Sequence, residues 1–234
     1  MIDDAVNAIR YLKRKQLPLR FTTNTTTRSL ASLHEKLVRM RLPIAPEEVF
    51  GVIKAAVAYL RRKGKPRCYL LLTDDPRQDF SEFPQTDKDP EYIVIGDVGK
   101  RWDYELMNKL FRMVTDGAEV IALHKGKYWE TEQGLQVDMG AFVAGLEYVT
   151  GKEATVIGKP SQAFFRLALD DIGFPAEKVA MVGDDIVSDI GGAQKAGMKG
   201  ILVKTGKYRE HLVTDSAVQP DLVIESVADL MDLA

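Results

Sequence analysis

The sequence predicts an α/β fold, a parallel sheet wrapped by helices with a second α/β module inserted into it. Three observations predict it. Apolar strand-like runs alternate with helix-like ones along nearly the whole chain, the pattern of a parallel sheet covered on both faces. Several of the strand-like runs end in polar, chemistry-bearing residues, where open sheets of this kind hold their ligands. A loop rich in acid, Pro and aromatic residues, "TDDPRQDFSEFPQTDKDPE", divides two strands near the middle and marks an insertion.

In order along the chain, Ala5, Ile9 and Leu12 recur at helical spacing in "MIDDAVNAIRYLKRK". That is an amphipathic helix and lacks the apolar centre of a signal peptide. "LPLRFTT" reads as a strand ending in polar residues, and "SLASLHEKLVRMR" as the helix after it. The runs "EVF", "CYLLLT", "YIVIGD", "AEVIALH", "ATVIG", "VAMVG", "GILVKT" and "DLVI" read as further strands. Between them "AAVAYLRRK", "YELMNKLFRMV", "GAFVAGLEYV", "SQAFFRLALDDI" and the segment after Asp184 read as helices. Gly191, Gly192, Ala193 and Ala196 allow close helix–sheet packing there, and Gly197 terminates the helix. No internal repeat or low-complexity tract interrupts the pattern.

At 234 residues, 45% hydrophobic and 28% charged, the chain can bury a substantial core as one large domain or two small ones. A net charge of -2 without a Lys/Arg block excludes the usual footprint of a nucleic-acid or membrane-surface partner. The single cysteine, Cys68, lies in an apolar run and reads as a buried thiol, which fits a reducing compartment. No run approaches the ~20 apolar residues of a membrane span, so a cytoplasmic location is expected.

Three strand ends carry suggestive chemistry. "RFTTNTTTRS" sets Thr22, Thr23, Asn24 and Thr25 after a strand and before a helix. Hydroxyls and free N–H groups there form an anion site, or simply a helix cap with spare threonines. In "ATVIGKPSQAFF", Lys159 projects toward the same rim and Pro160 suits the first helical turn; alone, such a lysine is most simply a solvated one. In "VAMVGDDIVSDIGGAQKAG", Asp184 is a carboxylate at a strand end, a good position for a hard cation such as Mg²⁺. Asp185 suits the positive end of the helix dipole. Asp189, one turn on, can hold Lys159 or a water on the cation. Together these are the parts that hold a phosphoryl group and neutralise its charge.

The order Thr-Asn, then Gly-Lys-Pro, then Gly-Asp-Asp-x-x-x-Asp resembles the haloacid dehalogenase (HAD) superfamily of phosphohydrolases. With "LHKGKYW", "GAFVAGLEYVTGKEATVIGKPS" and "LVKTGKY" the likeness narrows to its subgroup IIA and spans nearly the whole chain. It implies a Rossmann-like core of residues 1–51 and 141–234, and an inserted cap of residues 52–140. It further implies that Thr23 and Asn24 bind phosphoryl oxygens, Lys159 stabilises their charge, Asp184 ligates Mg²⁺ and Asp189 orients Lys159 or the metal's waters. The expected substrate is a small phosphorylated compound or pyrophosphate, attacked through an aspartyl-phosphate intermediate. A homodimer, cap-to-cap or core-to-core, is compatible with the subgroup.

The family's first motif, an apolar strand ending in Asp-x-Asp or Asp-x-Ser, has no counterpart, and the expectation is a missing first strand. Asp3 and Asp4 have no strand ahead of them, while Asp74, Asp75 and Asp97 follow strands of the expected cap. Losing a group that acts as part of a catalytic unit can cost about 10⁶ in rate, so this chain alone is expected to be inert or nearly so. The other reading is a non-catalytic phosphate- or partner-binding protein that kept the rim without the nucleophile. His124, Lys125, Lys127, Tyr128 and Trp129 in the expected cap are placed to select the leaving group; taken alone, His124 is more simply structural. "LVKTGKY" borders the site through Lys204 or Thr205.

Overall fold

The computed structural model of the chain describes residues 2–132 and 134–233. The chain opens with α1 (Ile2–Arg14), β1 (Phe21–Thr23), α2 (Leu30–Arg39), β2 (Val49–Gly51), α3 (Val52–Arg62) and β3 (Cys68–Leu71). It continues through α4 (Asp74–Arg77), β4 (Tyr92–Ile95), α5 (Tyr104–Thr115), β5 (Glu119–Ala122), β6 (Tyr128–Thr131) and β7 (Gly134–Val137). Next come α6 (Gly140–Thr150), β8 (Thr155–Val156), α7 (Gln162–Ile172) and β9 (Ala180–Gly183). The last elements are α8 (Gly192–Lys195), β10 (Lys199–Val203), α9 (Glu210–Thr214), β11 (Leu222–Ile224) and α10 (Leu230–Leu233). β1 and β2 form a two-stranded sheet.

Two compact units result. One comprises Met1–Phe21, Leu33–Val49 and Lys159–Ala234; the other comprises Thr22–Ser32 and Phe50–Gly158. The first unit holds a three-stranded parallel sheet in the order β11-β10-β9, with Ile201 opposite Val182 on one side and Leu222 on the other. Leu12 of α1 packs with Val203, Ile224 and Leu230 against one part of this sheet, and Ile186 and Ile190 pack with Leu202 against another. Burying each such side chain contributes about 1.5–3 kcal/mol. Gly192 faces the Phe165 ring so closely that a Cβ there would overlap it, which is why the small-residue run begins where it does. Gly197, at φ +88, ends α8 in the left-handed region open to glycine.

The second unit is built on a parallel sheet in the order β3-β4-β5-β8, with Leu70, Val94 and Ile121 in register and Ile121 opposite Thr155. Its strands are apolar on both faces, as a sheet covered by helices requires. Ile93, Ile95 and Ala122 are fully buried against Leu110 and Val114 of α5 and Val143 and Leu146 of α6. Asp103 caps α5, accepting the Leu106 N–H at 2.8 Å. The Trp102 and Phe142 rings stack at 4.4 Å between centroids. β6 and β7 form an antiparallel hairpin.

Residues 141–158 pack in this second unit, because Thr155 and Val156 extend its sheet and α6 fills its core. Thr22–Ser32 falls in it as well. No helix among the described residues is long and apolar enough to cross a membrane.

Candidate functional site

In the first unit the chemistry gathers at the carboxyl end of β9, where the chain reads Gly183-Asp184-Asp185. The segment that follows is not an ordinary helix. Ile186–Gly191 is a π-helical turn, and the Asp185 carbonyl accepts both the Asp189 N–H (2.9 Å) and the Ile190 N–H (3.2 Å). Such turns cluster at functional sites, and this one brings Asp189 against the strand end. A Cβ on Gly183 would lie 2.5 Å from the Asp189 carboxylate, so only glycine admits that approach.

Asp189 is 5% exposed and fully engaged. Its Oδ1 accepts Lys159 Nζ at 2.7 Å, and its Oδ2 accepts the Asp185 N–H at 3.3 Å. The Lys159 side chain is itself 11% exposed, so it is not the solvated lysine its local sequence suggests. An ammonium in so low-dielectric a setting attracts an anion far more strongly than it would in water. Pro160 is not in the first helical turn; Ser161 caps α7, accepting the Phe164 N–H, and Pro160 precedes it.

Asp185 is the cap of the π-helical turn, its Oδ1 accepting the Val187 and Ser188 N–H groups at 3.1 and 2.8 Å. Asp184 is left for other work. Its Oδ2 accepts the Lys207 N–H at 2.8 Å, while its Oδ1 has no partner among the described residues. Those residues contain no cluster of three or more His, Cys, Asp or Glu able to hold a metal by themselves. A lone strand-end carboxylate fits Mg²⁺, which takes one or two carboxylates and fills its octahedron with water and substrate oxygens. It does not fit a zinc cage.

Thr23 and Asn24 belong to the second unit, whereas Lys159, Asp184 and Asp189 belong to the first. Thr23 Oγ1 lies 2.8 Å from Thr25 Oγ1 and accepts the Thr25 N–H at 3.1 Å, a compact hydroxyl turn. Gly158 lies close beneath it, where a Cβ would come within 3.0 Å of Asn24 Oδ1. Thr26 is buried and accepts the Asp97 N–H at 3.1 Å.

These threonines are not the cap of α2. Asp75 accepts the Ser29 N–H (2.8 Å) and the Ser29 and Ser32 hydroxyls (3.1 and 2.9 Å), and Asp79 accepts the Leu30 N–H at 3.0 Å. The cap reading of Thr23 and Thr25 therefore yields to carboxylates some 45 residues away in sequence, which no local pattern announces. The Ser29 N–H, ahead of the two hydroxyls, holds Asp75 below the usual carboxylate range, while burial pushes Asp79 above it. So engaged, Asp75 is no free nucleophile; the Asp3 side chain lies outside those described.

Elsewhere, His124 Nδ1 accepts the Gly126 N–H at 3.2 Å and lies 3.7 Å from Asp138 Oδ2 at the base of the hairpin. Lys125 pairs with Glu147. Lys204 pairs with Glu225 at 2.6 Å, so the "LVKTGKY" segment meets Asp184 through Gly206 and Lys207, which sequence reasoning passed over. The available signal was a glycine three residues beyond a strand end.

Two family models match the chain, "Haloacid dehalogenase-like hydrolase" over residues 1–83 and "HAD-hyrolase-like" over residues 156–230. The human haloacid dehalogenase-like hydrolase domain-containing protein 2 is 39% identical over 231 residues, covering 99% of this chain and 88% of its own length. Human phospholysine phosphohistidine inorganic pyrophosphate phosphatase is 39% identical over 234 residues, covering 99% of this chain and 86% of that protein. Among solved structures, a p-nitrophenyl phosphatase from Archaeoglobus fulgidus superposes with a TM-score of 0.92 at 26% identity, over 99% of this chain and 92% of that one.

Proposed function

Because the chain belongs to the haloacid dehalogenase-like hydrolase family, we propose that it provides the substrate-, charge- and metal-binding groups of a Mg²⁺-dependent phosphohydrolase. The substrate is a small phosphorylated compound or pyrophosphate. The observation that carries this reading is the buried Lys159–Asp189 pair at the end of β9, in the same turn as a carboxylate, Asp184, with one oxygen uncommitted. Likeness to a pyrophosphate phosphatase and a p-nitrophenyl phosphatase supports the reaction class.

In this reading Thr23 and Asn24 hold two phosphoryl oxygens by hydrogen bonds. Lys159, aimed by Asp189, meets the negative charge that grows in the transition state. Mg²⁺, when bound, supplies Lewis-acid neutralisation of the phosphoryl oxygens, and Asp184 is its ligand from this chain. Unit Phe50–Gly158 carries residues 52–140 as the cap, whose hairpin excludes water and selects the leaving group. The attack is made by an aspartate, forming an aspartyl-phosphate that water then hydrolyses. Asp75 is committed to α2, and we place the nucleophile in a segment ahead of residue 1.

The test assays p-nitrophenyl phosphate with Mg²⁺ in two forms, this chain and one extended by the upstream coding sequence. The extended form turns over, and Lys159→Ala or Asp184→Ala lowers its kcat/KM by about 10²–10³, in line with losing an electrostatic stabiliser of the transition state. Equal turnover by the short form overturns the placement of the nucleophile. No turnover by an extended form containing a strand-end Asp-x-Asp favours the non-catalytic phosphate binder.

A further inference from the structure

We infer that the loop after β10, through Gly206 and the backbone N–H of Lys207, positions Asp184 so that it offers a cation one oxygen only, and thereby selects a small octahedral ion over a larger one. The inference rests on the reading that Asp184 is the metal ligand. Its premises are geometric. The Lys207 N–H fixes Asp184 Oδ2 at 2.8 Å, leaving Oδ1. Gly206 sits at φ +59, and a Cβ there would overlap Asp184 Oδ2. The loop and the carboxylate are thus fitted to each other, and no residue with a side chain permits the fit.

The Lys207 side chain adds little. Its Nζ stands 3.6 Å from Asp185 Oδ2 and is 75% exposed, a pair that solvent and salt screen. The backbone donor does the positioning. A carboxylate with one oxygen committed binds in monodentate fashion, which suits the strict octahedron of Mg²⁺; Ca²⁺ gains from two-oxygen coordination and a looser shell. Groups that hold a metal's ligands typically change affinity 10–100-fold when lost. Gly206 and Lys207 are positioning residues in this sense, since they act through Asp184.

The experiment titrates the folded chain with Mn²⁺, an octahedral substitute for Mg²⁺, following the free-ion electron paramagnetic resonance signal, and repeats the titration in competition with Ca²⁺. Gly206→Ala is expected to weaken Mn²⁺ binding about 10–100-fold and to narrow its preference over Ca²⁺. Gly173→Ala strains an equally left-handed glycine (φ +78) that has no neighbour within 4 Å, and is expected to leave binding unchanged. Wild-type affinity and selectivity in a folded Gly206→Ala chain overturn the inference. Undiminished binding by Asp184→Asn overturns the reading beneath it. If Gly206→Ala does not fold, amide exchange of Lys207 in the wild-type chain decides. Protection that persists under saturating Mg²⁺ supports the one-oxygen arrangement, and protection lost on adding Mg²⁺ overturns it, because the ion has then taken Oδ2.

Discussion

Lys159 Nζ stands 2.7 Å from Asp189 Oδ1, with the two side chains 11% and 8% exposed. So buried a pair holds together only while both members are present. Removing one leaves the other charge desolvated, at a cost of about 3–5 kcal/mol, whereas replacing both by apolar groups of similar volume is often neutral. Urea unfolding is therefore expected to show a large loss for Asp189→Ala and recovery of most of it in Lys159→Met/Asp189→Leu. A double variant no more stable than the single one means that the charge pair is not what Asp189 supplies to the fold.

The cap on α2 gives a pH-dependent prediction. Asp75 is held below the usual carboxylate range, first by the Ser29 N–H. Its folded pKa lies below its unfolded value of about 3.9. Its contribution is therefore complete above the unfolded pKa and is lost as pH falls through the folded one. Asp79, pushed up by burial, has the opposite sign, favouring the fold below its unfolded pKa and losing that contribution as pH rises through its higher folded value. Asp75→Ala is expected to cost about 0.5–2 kcal/mol at pH 7, the usual range for a lost cap. It should also flatten the fall in stability as pH drops below about 4. Thermal unfolding across that range checks both; an unchanged slope contradicts the cap.

Cys68 is fully buried and its Sγ donates to the Pro66 carbonyl at 3.3 Å. Burial pushes its thiol up to about 12. Since the thiolate is the reactive form, the native chain is expected to resist iodoacetamide at pH 8 and to label in denaturing urea. Rapid labelling of the native chain contradicts the burial.

Much of this was legible in the chain. The strand-like runs from "CYLLLT" to "DLVI" correspond to strands because parallel sheets bury both faces and so write continuous apolar runs. Asp184, Asp185 and Lys159 stand out because polar residues just after such runs have no packing reason to be there, and Asp189 because it lies one turn beyond Asp185. What was not legible depends on contacts distant in sequence. Asp75 and Asp79 cap a helix that begins more than 40 residues earlier, and Lys207 reaches back 23 residues to Asp184. Neither leaves a periodic trace. That residues 141–158 pack with the Phe50–Gly158 unit is likewise not written in the local pattern, since the pairing of Thr155 and Val156 with β5 decides it. The Ile186–Gly191 turn reads as an ordinary helix, because an extra residue in one turn does not disturb so short an apolar pattern.

The central claim is that Thr23, Lys159 and Asp184 serve one phosphate and its divalent ion. Isothermal titration of the chain with inorganic phosphate, with and without Mg²⁺, tests it most directly. The account predicts Mg²⁺-dependent binding that Thr23→Ala, Lys159→Ala and Asp184→Ala each weaken at least about tenfold, the loss of roughly one charge-assisted hydrogen bond. Phosphate binding that ignores Mg²⁺, or that survives Thr23→Ala and Lys159→Ala alike, contradicts it.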